Sequence, residues 1–195
     1  MNTGDLKGGM KDVYNGDIFV HKNFFEPNQL DKWTYELIHN GKWTPMGTSF
    51  KDGEKTGERP HFILNSKDLL LHAHIVSYTH WLIKDALNVD SFEYFENQGN
   101  IVNAIQVGDT SIIHRDGPTK DAWTMIVYLN KEWNPDWGGK TEFYNEDLDE
   151  VVYSHHPNPG SVILFRQIIP HGIAPVSTLS KEPRYSFVVK GIARA

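Results

Sequence analysis

Residues 101–129, IVNAIQVGDTSIIHRDGPTKDAWTMIVYL, decide the fold. Three runs rich in β-branched and aromatic residues, Ile101–Val107, Ser111–Asp116 and Ala122–Leu129, are separated by Gly108-Asp109 and Gly117-Pro118. Such runs read as strands, and the breaks read as turns, because glycine takes positive φ without steric cost and proline presets a turn. The texture continues through Thr141–Tyr144, Val151–Tyr153, Ser161–Phe165, Gly172–Pro175 and Tyr185–Val189, with further breaks at Gly138-Gly139 and Asn158-Pro159-Gly160. Many short strands at regular intervals predict a sandwich, jelly roll or barrel. There is no internal repeat and no low-complexity tract.

Upstream, the texture is mixed and its strongest signals are helical. Pro27 opens a segment from Asn28 to His39 in which Leu30, Trp33, Leu37 and Ile38 recur near helical spacing, and Gly41 closes it. Proline suits a first turn, where its missing N–H has no partner anyway. Ser66-Lys67-Asp68 reads as the cap of a second, longer helix to about Asn88, carrying Leu70, Leu71, Ile75, Tyr78, Trp81 and Leu82. Between the two, Pro45–Pro60 is rich in Gly, Lys and Thr and reads as a mobile loop. A single domain over 1–195 is expected, with 1–90 a helical and mixed support region and 91–195 the β core.

Composition narrows the chemistry. A chain of 195 residues with 39% hydrophobic and 23% charged side chains describes a soluble globular protein and excludes a disordered tail or a coiled coil. No apolar run approaches the ~20 residues of a membrane span. Met1–Gly9 has no apolar segment, so no secretory signal is expected. The formal net charge of -6 disfavours binding nucleic acid through its phosphates. Cysteine is absent, which removes disulfides, thiolate nucleophiles, iron–sulfur clusters and zinc ribbons together. Any metal must be held by histidine and carboxylate. With nothing asking for oxidising conditions, cytoplasm is the expected compartment.

Of ten histidines, His114 stands out because Asp116 lies two positions on. On a strand, i and i+2 face the same side, so both side chains can converge on one ion. Alone the pair is weak, since chance supplies about 0.7 such pairs at this composition. His171 follows Pro170, and Arg184 opens Arg184-Tyr185-Ser186. Two histidines and a carboxylate on one face of a β scaffold suit a facial Fe(II) site with open positions. An arginine on a nearby strand could grip a dicarboxylate through a two-pronged, charge-assisted contact.

From Asn103 to Lys190 the chain resembles the Fe(II)/2-oxoglutarate-dependent dioxygenases, in their prolyl 4-hydroxylase-like branch. The matching blocks are Gly108 through His114-Arg115-Asp116-Gly117-Pro118, Ile126-Val127-Tyr128-Leu129-Asn130, Trp137-Gly138-Gly139-Lys140-Thr141-Glu142-Phe143-Tyr144, Pro159-Gly160-Ser161-Val162-Ile163-Leu164-Phe165, and His171-Gly172-Ile173-Ala174-Pro175-Val176 with Arg184-Tyr185-Ser186. The resemblance implies a mainly β fold, a double-stranded β-helix (jelly roll) with N-terminal helices packed on its larger sheet. It implies Fe(II), 2-oxoglutarate as cosubstrate and O2, with ascorbate as a support, and oxidative decarboxylation to succinate and carbon dioxide coupled to C–H hydroxylation. It makes His114, Asp116 and His171 the iron ligands and Arg184 the partner of the 5-carboxylate. Ser186, Tyr128 and Asn103 become further cosubstrate contacts. An arginine here separates the chain from collagen-type relatives that use lysine. The carboxylate of Asp116 favours hydroxylation over halogenation, because related halogenases carry a small residue there.

By the same analogy the leading substrate is a peptidyl proline; another peptide or protein, or a small molecule, stays open, and the chain is expected to be a monomer or weak homodimer. A non-enzymatic cupin-like sensor is the alternative, against which Arg184 argues, since a sensing metal has no need of a dicarboxylate anchor. A cupin-type isomerase or dioxygenase without 2-oxoglutarate would draw three or more histidines from two motifs, and only two suitable ones are present. His72 and His74 fall on different helix faces, His155-His156 reads as a solvated turn beside Pro157, and His21, His39, His61 and His80 read as structural or surface residues. Trp133 and Trp137 either line a substrate groove or pack on the barrel rim. The Pro45–Pro60 loop, with Lys51, Lys55 and Arg59, is either a lid or a plain solvated loop.

Overall fold

The computed structural model describes residues 9–46, 50–51, 54–55, 61–95, 100–109 and 111–194. In chain order its strands are β1 (Lys11–Tyr14), β2 (Ile18–His21), β3 (Thr44–Met46), β4 (Phe50–Lys51), β5 (Glu54–Lys55), β6 (His61–Asn65), β7 (Ser91–Tyr94), β8 (Ile101–Ile105), β9 (Ser111–His114), β10 (Ala122–Tyr128), β11 (Thr141–Tyr144), β12 (Val151–His155), β13 (Val162–Arg166), β14 (His171–Ile173) and β15 (Arg184–Arg194). The helices are α1 (Pro27–Asn40) and α2 (Leu70–Leu87). A large antiparallel sheet runs β1-β2-β13-β10-β15-β8-β6-β3, with β7 on the far end of β15. A smaller one runs β12-β11-β14-β9. No helix among the described residues is long and apolar enough to cross a membrane.

Side-chain alternation gives the large sheet two different faces. On β10, Trp123, Met125 and Val127, with Leu129 just beyond its end, join Leu30, Trp33, Leu37, Leu71, Ile75, Leu82 and Ile83 of the helices in one core. The intervening Ile126 and Tyr128 pack with Ile163, Phe165 and Phe143 in a second core between the sheets. Every residue of β10 is buried because both faces are covered. The result is the expected jelly roll with helices against its larger sheet.

All eight strands expected in the C-terminal half form, with ends shifted by a few residues. The N-terminal half supplies more than helical support, since β2, β6 and their neighbours extend the large sheet at both edges. The β1–β2 hairpin carries a signal the hydrophobic pattern does not, Asn15-Gly16. Both residues take positive φ (48° and 75°), as a tight two-residue turn requires, and Asp17 N–H closes it on the Tyr14 carbonyl. The lid reading of Pro45–Pro60 falls largely outside the described residues; within them are Pro45-Met46 at the end of β3 and the short β4–β5 hairpin.

Ser66 does not cap α2. It lies in a 3-10 turn, Ser66–Asp68, and its hydroxyl donates to the Asn100 carbonyl at 2.7 Å. The free N–H groups of Leu70 and Leu71 instead donate to the Glu36 carboxylate of α1, at 2.7 and 3.1 Å. A carboxylate there satisfies orphan donors and complements the positive end of the helix dipole. No local pattern announces this cap, because the capping residue lies on the other helix.

Candidate active site

The small sheet brings the first constellation together. His114 ends β9, His171 begins β14, and the two are direct partners in the antiparallel ladder, with ring centroids 4.5 Å apart. Asp116 lies beyond the end of β9, so strand alternation is not what aims it. Its position is set by the backbone, where Asp116 N–H donates to the Gln167 carbonyl at 3.0 Å. Gln167 is itself buried and tied by its side-chain amide to the Trp123 carbonyl. Asp116 Oδ1 then stands 3.6 Å from His114 Nε2, and Oδ2 3.7 Å from His171 Nε2. One ligand atom from each residue lies within 4.8 Å of the others.

These donors fit a cation. Nδ1 of His114 lies 2.9 Å from the Ile112 carbonyl and Nδ1 of His171 3.0 Å from that of Ile169. A carbonyl only accepts, so each ring carries its proton on Nδ1 and turns an Nε2 lone pair toward the shared space. Burial pushes His171 down to about 4, against the pull of Asp116, and keeps the ring neutral as a ligand must be. Burial opposes charge on Asp116 too, but His171, His114 and the Lys190 ammonium outweigh it and hold its carboxyl well below the usual range. For His114 burial is outweighed by the hydrogen bond and charge of Asp116, which raise it. His171 is buried, whereas the His114 side chain keeps 29% of its exposure, so the cluster opens on the His114 side.

Two residues touching Asp116 carry no motif. Thr124 Oγ1 donates to Oδ2 at 2.6 Å and Lys190 Nζ to Oδ1 at 2.7 Å. They are direct cross-strand partners on β10 and β15, on the sheet face that looks at the small sheet. Their pairing partner in sequence is visible only once the strand register is known.

The second constellation lies along the same face of β15. Arg184 is fully buried; its guanidinium donates to Ser186 Oγ at 3.1 Å and to Thr141 Oγ1 at 2.9 Å. Thr141 Oγ1 also meets the Tyr128 hydroxyl at 2.7 Å, and the Tyr128 ring lies 5.0 Å below the guanidinium carbon. Among the described residues no carboxylate pairs with Arg184, and its Nε has no partner. A buried, always-charged group without a counter-ion is costly unless an anion joins it. The pocket fits a carboxylate ligand.

Tyr128, Ser186 and Asn103 form one cross-strand row over β10, β15 and β8. Ser186 and Tyr128 touch the arginine cluster; Asn103 is half-buried beside Ser186 and makes no hydrogen bond to Arg184. Thr141, which sequence reasoning placed only as the start of a strand, is the hydroxyl joining Tyr128 to Arg184. Burial raises the Tyr128 phenol, so it stays protonated as a donor.

Trp133 and Trp137 are buried edge to face in a small cluster with Ile105 and Val176. Their burial accords with packing on the barrel rim. Gly139, at φ 67°, lets this wall close on the arginine stem, since an added Cβ would stand 3.2 Å from both Arg184 Cδ and Trp133. His155 is not a solvated turn residue. It ends β12 at 3% exposure, stacks on Tyr128 and meets Ser161 Oγ at 3.1 Å.

Residues 100–189 match the family model described as the 2OG-Fe(II) oxygenase superfamily. Among solved structures, a prolyl-4-hydroxylase from Pseudomonas putida is 16% identical with TM-score 0.62, over 92% of this chain and 93% of that one. A prolyl hydroxylase from Trichoplax adhaerens, in complex with a hypoxia inducible factor oxygen degradation domain peptide fragment, is 17% identical with TM-score 0.66, over 91% and 84%. The non-heme alpha ketoglutarate dependent epimerase SnoN from nogalamycin biosynthesis is 14% identical with TM-score 0.65, over 93% and 83%. At these identities the likenesses establish the fold, and they span more than one reaction. No curated protein matches the chain.

Proposed function

We propose that this chain, whose residues 100–189 belong to the 2OG-Fe(II) oxygenase superfamily, is a one-domain hydroxylase of a C–H bond, with a peptidyl proline as the leading substrate. His114, Asp116 and His171 hold Fe(II), and Arg184, assisted by Ser186, Thr141 and Tyr128, holds the 5-carboxylate of 2-oxoglutarate. When bound, Fe(II) with 2-oxoglutarate and O2 supplies the oxidising power, yielding succinate and carbon dioxide.

The chain's own residues position and shield that chemistry. The two Nδ1–H bonds to backbone carbonyls aim the imidazole Nε2 atoms. Thr124 and Lys190 fix the plane of Asp116. Trp133, packed on Trp137, lies across Gly139 from the Arg184 stem, and the full burial of Arg184 strengthens its grip on an anion. The observation that carries the reading is Arg184, a fully buried guanidinium with no carboxylate partner among the described residues, in the same space between the sheets as a His-Asp-His cluster. The peptide bound to the Trichoplax structural neighbour supports a peptide substrate here. The reading includes action as a monomer or weak homodimer, and a cytoplasmic location in keeping with the absence of cysteine.

Succinate release from 2-oxoglutarate with Fe(II) and ascorbate tests it. Turnover, even without added substrate, is expected in the native chain, and its loss together with metal binding in His171→Ala. An active, iron-loaded His171→Ala would overturn the ligand assignment. Incubation with proline-containing peptides, read by mass spectrometry for one added oxygen, tests the substrate.

A further inference from the structure

Lys190 holds Asp116 in place, and that contact uses only part of its ammonium. It shares a face of β15 with Arg184, Ser186 and Val188, and its ammonium lies against Asp116. Six positions separate Lys190 from Arg184, roughly 20 Å of strand. A 2-oxoglutarate held at Arg184 and reaching the metal cluster therefore leaves Lys190 on the cluster's other side. That side is the open one. The Lys190 side chain keeps 19% of its exposure and His114 29%, whereas Arg184 has none.

Two features show that the ammonium has capacity left. It has three donors, and Asp116 is the only acceptor it meets among the described residues. The assembled site also carries surplus positive charge. Fe(II) brings two positive charges, with Arg184 and Lys190 one each; Asp116 supplies one negative and 2-oxoglutarate two. One positive charge stays uncompensated in a partly dry space, and removing Lys190 alone would balance it. Such a surplus favours an incoming anion and penalises a cation.

Resting on the metal and cosubstrate reading above, we infer that Lys190 selects the substrate: it binds a carboxylate placed next to the carbon that is oxidised. The group is a chain-terminal or acidic side-chain carboxylate in a peptide, or the carboxylate of a small molecule. Neutral and cationic substrates of the same shape bind more weakly.

The test uses the full chain loaded with Mn(II) and 2-oxoglutarate, and reads paramagnetic broadening of probe NMR signals. The probes are N-acetyl-L-proline with N-acetyl-L-prolinamide, and N-acetylglycine with its amide. In the native protein the carboxylate member of at least one pair is expected to bind about tenfold more tightly, the worth of one good charge-assisted contact. Among variants that keep Mn(II) and 2-oxoglutarate, the ratio of carboxylate to amide affinity should fall to about one in Lys190→Met and return in Lys190→Arg. Lys190→Gln replaces the methionine variant should the latter fail to take up Mn(II). No carboxylate preference in either pair, or a preference unchanged without the ammonium, overturns the inference. Failure of the native chain to bind Mn(II) by electron paramagnetic resonance would sink the metal reading itself, and this inference with it.

Discussion

Arg184 shows how one residue's burial becomes a functional argument. Its guanidinium uses Ser186 and Thr141 as neutral partners and leaves Nε unmatched among the described residues, an arrangement that makes sense when an anion completes it. Arg184→Met should raise the 2-oxoglutarate concentration needed for half-maximal turnover by roughly 100-fold and spare metal affinity. Thr141→Val, which keeps shape but removes the shared hydroxyl, should raise it by about tenfold; titration of both variants with 2-oxoglutarate checks this. His155 sets a pH dependence of stability. Burial, with Lys22, His156 and Arg184 adding to it, pushes its ring down to about 4 from 6.5. Between those values the unfolded chain binds the proton that the folded chain refuses, so this contribution is intact above pH 6.5 and is lost as the pH falls toward 4. At pH 4.5 the loss is about 2–3 kcal/mol. Denaturant titrations at pH 7 and 4.5 should show a smaller drop for His155→Gln than for the native chain.

Among the elements, α2 depends on α1 for more than packing. Its first N–H groups end on Glu36, so the cap is a tertiary contact, and both helices bury one apolar stripe on the same face of the large sheet. Glu36→Ala should cost about 1 kcal/mol in urea unfolding, within the range of lost caps, with no change in cosubstrate affinity because the helices lie on the face away from the site. The strands read from sequence are those in which the β-branched run is long and its turns carry glycine or proline. β3 and β6 escaped because they are short and flank a polar stretch. β1 and β2 escaped because their clearest signal was the Asn15-Gly16 dipeptide and not a hydrophobic period.

At the scale of the whole molecule, the site spans two sheets. His114 and His171 come from the small sheet, Arg184 and Lys190 from the large one, and Asp116 is clamped between them by Thr124 and Lys190. Ligands that bridge the two sheets should therefore stabilise the fold. Mn(II) with 2-oxoglutarate at about 100 times the dissociation constant contributes about 2.7 kcal/mol. That corresponds to a rise of roughly 5–10 °C in thermal midpoint for a chain of this size. Differential scanning fluorimetry checks it, and Arg184→Met should lose the part of the rise due to 2-oxoglutarate.

Periodicity and turn chemistry, which are local, determined that the C-terminal half is a run of short strands and that two helices precede it. Spacing along the chain drew attention to His114, Asp116, His171 and Arg184, and only the resemblance of the blocks around them to the Fe(II)/2-oxoglutarate dioxygenases singled them out among ten histidines, 25 acidic and 19 basic residues. Only the tertiary structure decided that Asp116 is aimed by Gln167 and not by strand alternation, that Thr141 links Tyr128 to Arg184, that His155 is buried, and that Lys190 leans on Asp116 of the candidate metal site. Each of those facts depends on register between strands distant in sequence. Register is a property of paired backbones, and no single segment carries it.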